Sequence, residues 1–258
     1  MRRAREGRVV KPPLLSVVMP IYNEEKNIEE IVRRVSIVPI EKEMILVDDC
    51  STDRTAEIIA SRIVPKYPNI IFMRHEKNRG KGAAVRTGYS VVRGEIAIVQ
   101  DADLEYNPSE YPELIQPILE GQTQVVFGSR FMKVDKFLFV WHWFLSRFLG
   151  RHYEIRYLHH FLGIQILNAL ANVLYGARIT DEATCYKVVK TSLLNDIKLR
   201  CDGFNFCPEL TAKLRKKGHR ILEVPITYHP RTKKEGKKLN WKHGFEAIWT
   251  LLKYRFVD

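Results

Sequence analysis

The sequence predicts an α/β fold with a mostly parallel sheet flanked by helices, and three observations carry that expectation. Short β-branched runs alternate with helical stretches through the first half of the chain. The predicted helices open on start signals, with Ser51 or Asp53 before one and Pro108 at the head of another. Finally, 258 residues with 45% hydrophobic and 28% charged side chains are ordinary for one large globular domain or two small ones.

In order, Leu14–Met19 reads as a strand and Glu24–Val35 as a helix. Glu43–Val47 is a strand, Asp53–Val64 a helix, Ile70–Arg74 a strand and Gly82–Val92 a helix. Glu95–Gln100 is a strand, Pro108–Glu120 a helix and Gln124–Gly128 a strand. In parallel sheets ligands bind at the carboxyl ends of strands, so the loops leaving them are where chemistry is sought. After Arg130 the rhythm changes. Residues 132–178 form an apolar, aromatic and basic insert. Cys185–Val189 and Ile221–Tyr228 read as further strands around a helix near Pro208–Lys217, followed by a basic loop, Arg231–Lys238. Trp241, Phe245, Ile248 and Leu252 recur at helical spacing, so residues 241–258 form a terminal amphipathic helix beyond a domain of residues 14–240.

Lys+Arg 42 against Asp+Glu 30 implies a polyanionic partner. Nucleic acid is disfavoured, because no recognition helix, zinc spacing or RNA-binding aromatic signature is present. The four cysteines form no CxxC pair and read as thiols of a reducing compartment. Residues 1–13 carry four arginines and a lysine without an apolar core, a basic arm rather than a signal peptide. Phe137–Ser146 is too short to span a bilayer. Tyr157–Ala177 is long enough, but Gln165, Asn168 and Asn172 make a polar stripe on it, so it is expected to lie in the interface or to pack on the domain. His159 and His160 read as packing residues, and Trp141 and Trp143 beside Arg147, Arg151 and Arg156 as a membrane-interface belt. The expected location is a cytoplasmic membrane face, held peripherally on an anionic surface without a transmembrane helix.

Three motifs carry chemistry. Asp101-Ala102-Asp103 leaves a strand, with Glu105 two residues on; carboxylates at alternating positions can converge on one hard cation, such as magnesium or manganese. Asp48 and Asp49 close another strand, where adjacent carboxylates repel unless at least one is used. A base ring or ribose could occupy one of them, and Asp53 reads as a helix cap. Asn78–Ala84 sets glycines and basic residues, Lys81 among them, before a helix N-terminus, which points to phosphate.

Taken in order, Pro20-Ile21-Tyr22-Asn23-Glu24, VDDCSTDRT at 47–55, NRGKG at 78–82, DADLEYNP at 101–108 and Gly128-Ser129-Arg130 resemble family 2 inverting glycosyltransferases of GT-A fold, especially the polyprenyl- and dolichyl-phosphate sugar synthases. The resemblance covers roughly residues 14–240. It implies that Pro20, Tyr22 and Glu24 line the nucleotide pocket with Lys81, and that Asp49 contacts the base. Asp101 would meet ribose and metal, Asp103 the metal, and Glu105 would be a further ligand. Ser129 and Arg130 would hold the acceptor phosphate. Thr180–Lys187 resembles a D-x-x-S-G-F/Y-R/K segment, with Cys185 in place of glycine; Asp181 would lie near the reacting centre, and Glu209 matches a carboxylate on the next helix. Glu223–Arg231 and the following Gly236–Leu239 resemble EVPI…R…G-x-S-K-L, with lysine in place of serine, so Arg231 and Lys238 would clamp phosphates.

What the resemblance implies is a metal-dependent hexosyltransferase acting on a nucleotide-diphosphate sugar, with a polyprenyl phosphate as acceptor. Glu105 stands where many mannose synthases carry glutamine, which favours a UDP-glucose-like donor over GDP-mannose. A hydroxyl acceptor is the alternative and would need a general base, with Asp181 or Glu209 as candidates. A non-catalytic nucleotide-binding module is the third reading.

Overall fold

In a computed structural model, residues 12–132, 156–231 and 241–257 are described. The chain forms β1 (Leu15–Ile21), α1 (Ile28–Ser36), β2 (Lys42–Asp48), α2 (Thr55–Ile58), β3 (Ile70–Arg74), α3 (Lys81–Tyr89), β4 (Ile96–Val99), α4 (Tyr111–Leu119), β5 (Val125–Ser129), α5 (Arg156–Tyr175), β6 (Lys187–Lys190), α6 (Phe206–Lys216), β7 (Ile221–Pro225) and α7 (Trp241–Phe256). The seven strands lie in the order β3-β2-β1-β4-β6-β5-β7.

Every pairing is parallel except those of β6, which runs antiparallel to both β4 and β5. That inversion positions the site. The carboxyl ends of β1 and β2 are level, with Ile21 opposite Asp48, and those of β5 and β7 are level, with Ser129 opposite Pro225. An antiparallel β6 starts at that same edge, so the segment entering it, Thr180–Tyr186, joins the loops that leave its neighbours.

Burial follows from the sequence pattern. Ile28, Ile31, Val32 and Val35 repeat at helical spacing and are buried on one stripe of α1. Removing one such side chain to alanine costs about 2–5 kcal/mol in a close-packed core. α1 starts at Ile28 rather than Glu24 because Glu24 is held in the preceding loop, its N–H donating to Thr55 Oγ1 at 2.9 Å. The helix expected over Asp53–Val64 is α2 followed by one π turn, Ile59–Ile63, which keeps both of those isoleucines in the core. The stretch expected in the interface or on the domain is α5, and its Leu167, Ala171 and Tyr175 pack with Leu210 of α6 and Leu251 of α7. The expected arm through residue 11, the aromatic belt at 141–151, the side chains of Arg156, His159 and His160, and Lys238 fall outside the described residues.

Candidate active site

The loops after β2 and β3 are tied together by one carboxylate. Asp49 Oδ1 meets His75 Nδ1 at 2.6 Å and accepts from the Arg79 N–H at 2.9 Å, while Oδ2 accepts from the Gly80 N–H at 2.7 Å. Gly80 has φ +93, and a Cβ there would lie 2.5 Å from the Asp202 carbonyl oxygen, so only glycine suits this approach. Asp48 is separately used, accepting from the Ser51 N–H and pairing with Arg74 at 3.1 Å. The two adjacent carboxylates therefore coexist because each has its own partners. An open cavity of about 580 Å3 is lined by Arg74, His75, Glu76, Lys77 and Arg79, and two of these residues, His75 and Arg79, are bonded to Asp49.

Beyond β4 the acidic triplet meets two cations. Lys81 Nζ, at the head of α3, lies 2.6 Å from Asp101 Oδ1. Burial opposes charge on that ammonium, but the Asp101 carboxylate outweighs it and holds the lysine charged. Arg231 Nη2 lies 2.9 Å from Asp103 Oδ2, and its Nη1 lies 3.2 Å from Glu24 Oε2. Glu105 accepts from Tyr228 Oη at 2.7 Å and from the Arg231 N–H at 2.8 Å. Burial, then the Asp101 and Glu105 charges, push the Asp103 carboxyl up to about 7 despite Arg231. Negative charge here exceeds its compensation.

The third part is a buried ion pair. Arg130 Nε and Nη2 reach Asp181 at 2.6 and 2.7 Å, and the Arg130 N–H adds a bond at 3.0 Å. Asp181 is 0% exposed. Burial disfavours the guanidinium charge, yet Asp181 more than compensates and holds it firmly protonated. Ser129 Oγ lies 2.6 Å from Thr180 Oγ1, and Glu223 accepts from the N–H groups of Thr180 and Asp181. Tyr228 joins the two clusters: its hydroxyl is on Glu105, and the Arg130 guanidinium carbon lies 4.8 Å from its ring centre.

Glu24, Asp49, Lys81, Asp101, Asp103, Glu105, Ser129, Arg130, Asp181 and Arg231 thus lie along one edge of the sheet, together with Pro20 near the end of β1 and Tyr22 just beyond it. Glu209 does not join them as a base. It is 0% exposed, accepts from the N–H groups of Arg200 and Cys201, and pairs with Lys213 at 2.7 Å. Sequence reasoning gave no role to Tyr228, His75 or Glu223. Tyr228 sits inside the motif that ends in Arg231, a signal that was present but unassigned.

The model for glycosyl transferase family 2 matches residues 16–174, more than half of the chain. The chain belongs to this family. Among characterised relatives, this family member is 31% identical over 247 residues to a dolichol-phosphate mannosyltransferase of Pyrococcus furiosus, covering 93% of this chain and 64% of the relative. It is 25% identical over 228 residues to an undecaprenyl-phosphate 4-deoxy-4-formamido-L-arabinose transferase of Edwardsiella ictaluri, covering 86% and 62%. The chain therefore spans less than two-thirds of either relative's length. Its fold is similar to that of glucosyl-3-phosphoglycerate synthase from Mycobacterium tuberculosis, solved with Mn2+, UDP and phosphoglyceric acid, with TM-score 0.67, 20% identity and coverage of 95% and 80%. The fold of this family 2 chain is GT-A, as the mostly parallel sheet and that likeness show.

A metal fits this donor set in a limited way. Among the described residues, no three His, Cys, Asp or Glu side chains converge as a cage. Lys81 claims Asp101, and Glu105 is turned to Tyr228 and the Arg231 backbone. Asp103, in its surplus of negative charge and beside Asp101, suits a hard cation that takes one or two carboxylates and completes its shell with phosphate and water.

Proposed function

We propose that the protein transfers a sugar from a nucleotide-diphosphate donor to a polyprenyl phosphate, with inversion at the anomeric carbon. The observation that carries the acceptor class is the state of the two candidate bases. Both Asp181 oxygens are held by Arg130, and Glu209 is buried against backbone N–H groups and Lys213. A hydroxyl acceptor needs a base to take its proton, whereas a phosphate acceptor is already anionic and needs cations. Arg130, pinned by Asp181 and Tyr228, is such a cation; Ser129 lies beside it, and Lys238 would add to them.

On the donor side, Asp49 and the cavity at His75 and Arg79 would receive the base, with Pro20, Tyr22, Glu24 and Lys81 along the nucleotide. Asp103 with Asp101 would hold magnesium or manganese, which when bound neutralises the departing diphosphate. Glu105 keeps the preference for a UDP-glucose-like donor. The names of the relatives, which concern dolichol phosphate and undecaprenyl phosphate, support the acceptor.

An anionic membrane surface is the proposed setting. Trp241, Phe245, Trp249, Leu252 and Phe256 form one exposed stripe on α7, with Lys253 and Arg255 in its last turn. Among the described residues, no helix is long and apolar enough to cross a membrane.

The test is nucleoside-diphosphate release by purified protein with Mg2+ or Mn2+, across UDP- and GDP-sugars, with and without a short polyprenyl phosphate. Lipid-stimulated release, with sugar appearing on the lipid, is expected. Turnover indifferent to lipid would replace the acceptor with a soluble hydroxyl compound.

A further inference from the structure

Glu223 stands on β7, opposite Phe127 of β5, and its carboxylate collects every polar hydrogen of the Thr180–Asp181 step. The Thr180 N–H bridges both oxygens, 2.9 Å from Oε1 and 2.8 Å from Oε2. The Asp181 N–H donates to Oε1 at 3.0 Å and the Thr180 hydroxyl to Oε2 at 2.8 Å. A hydroxyl has one hydrogen, and Thr180 spends its own on Glu223. Across the 2.6 Å contact with Ser129 it therefore accepts, and Ser129 is the donor. The Ser129 oxygen in turn accepts the Phe131 N–H at 3.2 Å, and Ser129 is 1% exposed. Its hydroxyl is thus committed inward, in a chain that ends on Glu223.

Two adjacent residues at the end of β5 are therefore matched to two adjacent residues that enter β6. Ser129 is bonded to Thr180, and Arg130 to Asp181 by its N–H, Nε and Nη2. Among the described residues Arg130 Nη1 has no hydrogen-bond partner, and Tyr228 covers one face of the guanidinium. A guanidinium held on one edge and one face offers its remaining edge to an anion. We propose that Glu223 is a positioning residue for the acceptor: by anchoring the Thr180–Asp181 step, it fixes Ser129 and Arg130 so that the free edge of Arg130 meets the acceptor phosphate. The inference rests on the polyprenyl-phosphate reading and deepens it. Glu223 touches no substrate, and it acts through Asp181 on one path and through Thr180 and Ser129 on the other.

The test is steady-state kinetics with a short polyprenyl phosphate and whichever of UDP-glucose and GDP-mannose the native protein uses, with melting temperatures to establish folding. Glu223→Gln keeps the size of the side chain, but whichever way the amide turns, its NH2 meets the Thr180 N–H. Its KM for the polyprenyl phosphate is expected to rise about tenfold, while kcat at saturating lipid falls less than about threefold. Thr180→Val, a milder break at the same carboxylate, should raise that KM by about threefold, and Thr180→Ser, which keeps the hydroxyl, should restore it. Glu110→Gln is the control, because Glu110 receives the N–H and hydroxyl of Thr227 at 2.8 and 2.9 Å, on a path that does not include Asp181. Its KM is expected to be native. An unchanged KM in folded Glu223→Gln, or an equal rise in Glu110→Gln, would overturn the positioning role and leave the acceptor reading standing. Equal KM values for Thr180→Val and Thr180→Ser would overturn the hydroxyl chain. Native protein without lipid-dependent turnover would remove the acceptor reading, and this inference with it.

Discussion

Asn172 holds Ile179 by a reciprocal pair of hydrogen bonds, its Nδ2 donating to the Ile179 carbonyl at 2.9 Å and its Oδ1 accepting from the Ile179 N–H at 2.8 Å. One turn earlier on the same helix, Asn168 does the same across Asp181, donating to the Thr180 carbonyl at 2.5 Å and accepting from the Glu182 N–H at 2.8 Å. The polar stripe on α5 is therefore the clasp that fixes the Asp181 segment. Asn168→Ala should leave two buried backbone groups unpaired, at about 1–3 kcal/mol each. A lower melting temperature and a kcat reduced at least tenfold are expected. Unchanged kcat in a folded Asn168→Ala would show that the clasp does not position the site.

Removing either member of the Arg130–Asp181 pair has unequal effects. Asp181→Asn leaves a buried guanidinium without its counter-charge, a defect worth about 3–5 kcal/mol, and denaturant unfolding should show a loss of that size. Arg130→Lys keeps the charge but forfeits the two-pronged contact. Its KM for the proposed lipid acceptor should rise while donor hydrolysis without acceptor stays near native, a split that steady-state kinetics resolves.

Gly82→Ala tests how tightly α3 is seated. A Cβ at Gly82 would lie 2.4 Å from the Cys201 carbonyl oxygen and 2.8 Å from that of Gly203. The head of α3 must then shift, taking Lys81 and its contact to Asp101 with it. The expected result is weaker UDP binding by calorimetry, with overpacking of about 1–3 kcal/mol seen in unfolding.

Glu182 gives the chain a pH signature. Burial raises its carboxyl from the ordinary 4.5 to about 7, with Lys187 at 3.4 Å only partly opposing, and Oε2 has no hydrogen-bond partner among the described residues. Between those two pH values the folded chain keeps a proton that the unfolded chain has released. Stability therefore falls as pH rises through that window, by about 3 kcal/mol at roughly 1.4 kcal/mol per unit. Urea midpoints at pH 5 and pH 7.5 should differ in the native chain and differ less in Glu182→Gln. Equal slopes would mean that Glu182 is ionised throughout.

Much of this was legible in sequence because it depends on local patterns. Near-continuous apolar runs mark strands covered on both faces, helical spacing marks α1 and α7, and DADLE after a strand marks acidic groups at a ligand-binding edge. The polar stripe at Asn168 and Asn172 was also visible. Its purpose was not, since its partners lie on a loop beyond the helix end that only folding brings back. The same holds for Asp49, whose carboxylate pairs with His75 and with backbone N–H groups about 30 residues away. Glu209 shows the converse: a carboxylate matching a motif position is spent on capping its own neighbourhood.

By itself, then, the sequence determined the α/β architecture, the family and which side chains carry charge to the site, because burial periodicity and motif order are properties of the chain read linearly. Only the tertiary structure decided which charges meet. The antiparallel β6 delivers Asp181 to the edge where β5 presents Arg130, and the chain beyond β7 returns Arg231 to Glu24 and Asp103, more than 100 residues away. Pairings across that separation depend on strand order and direction, and those are settled by packing the whole sheet rather than by any segment of it.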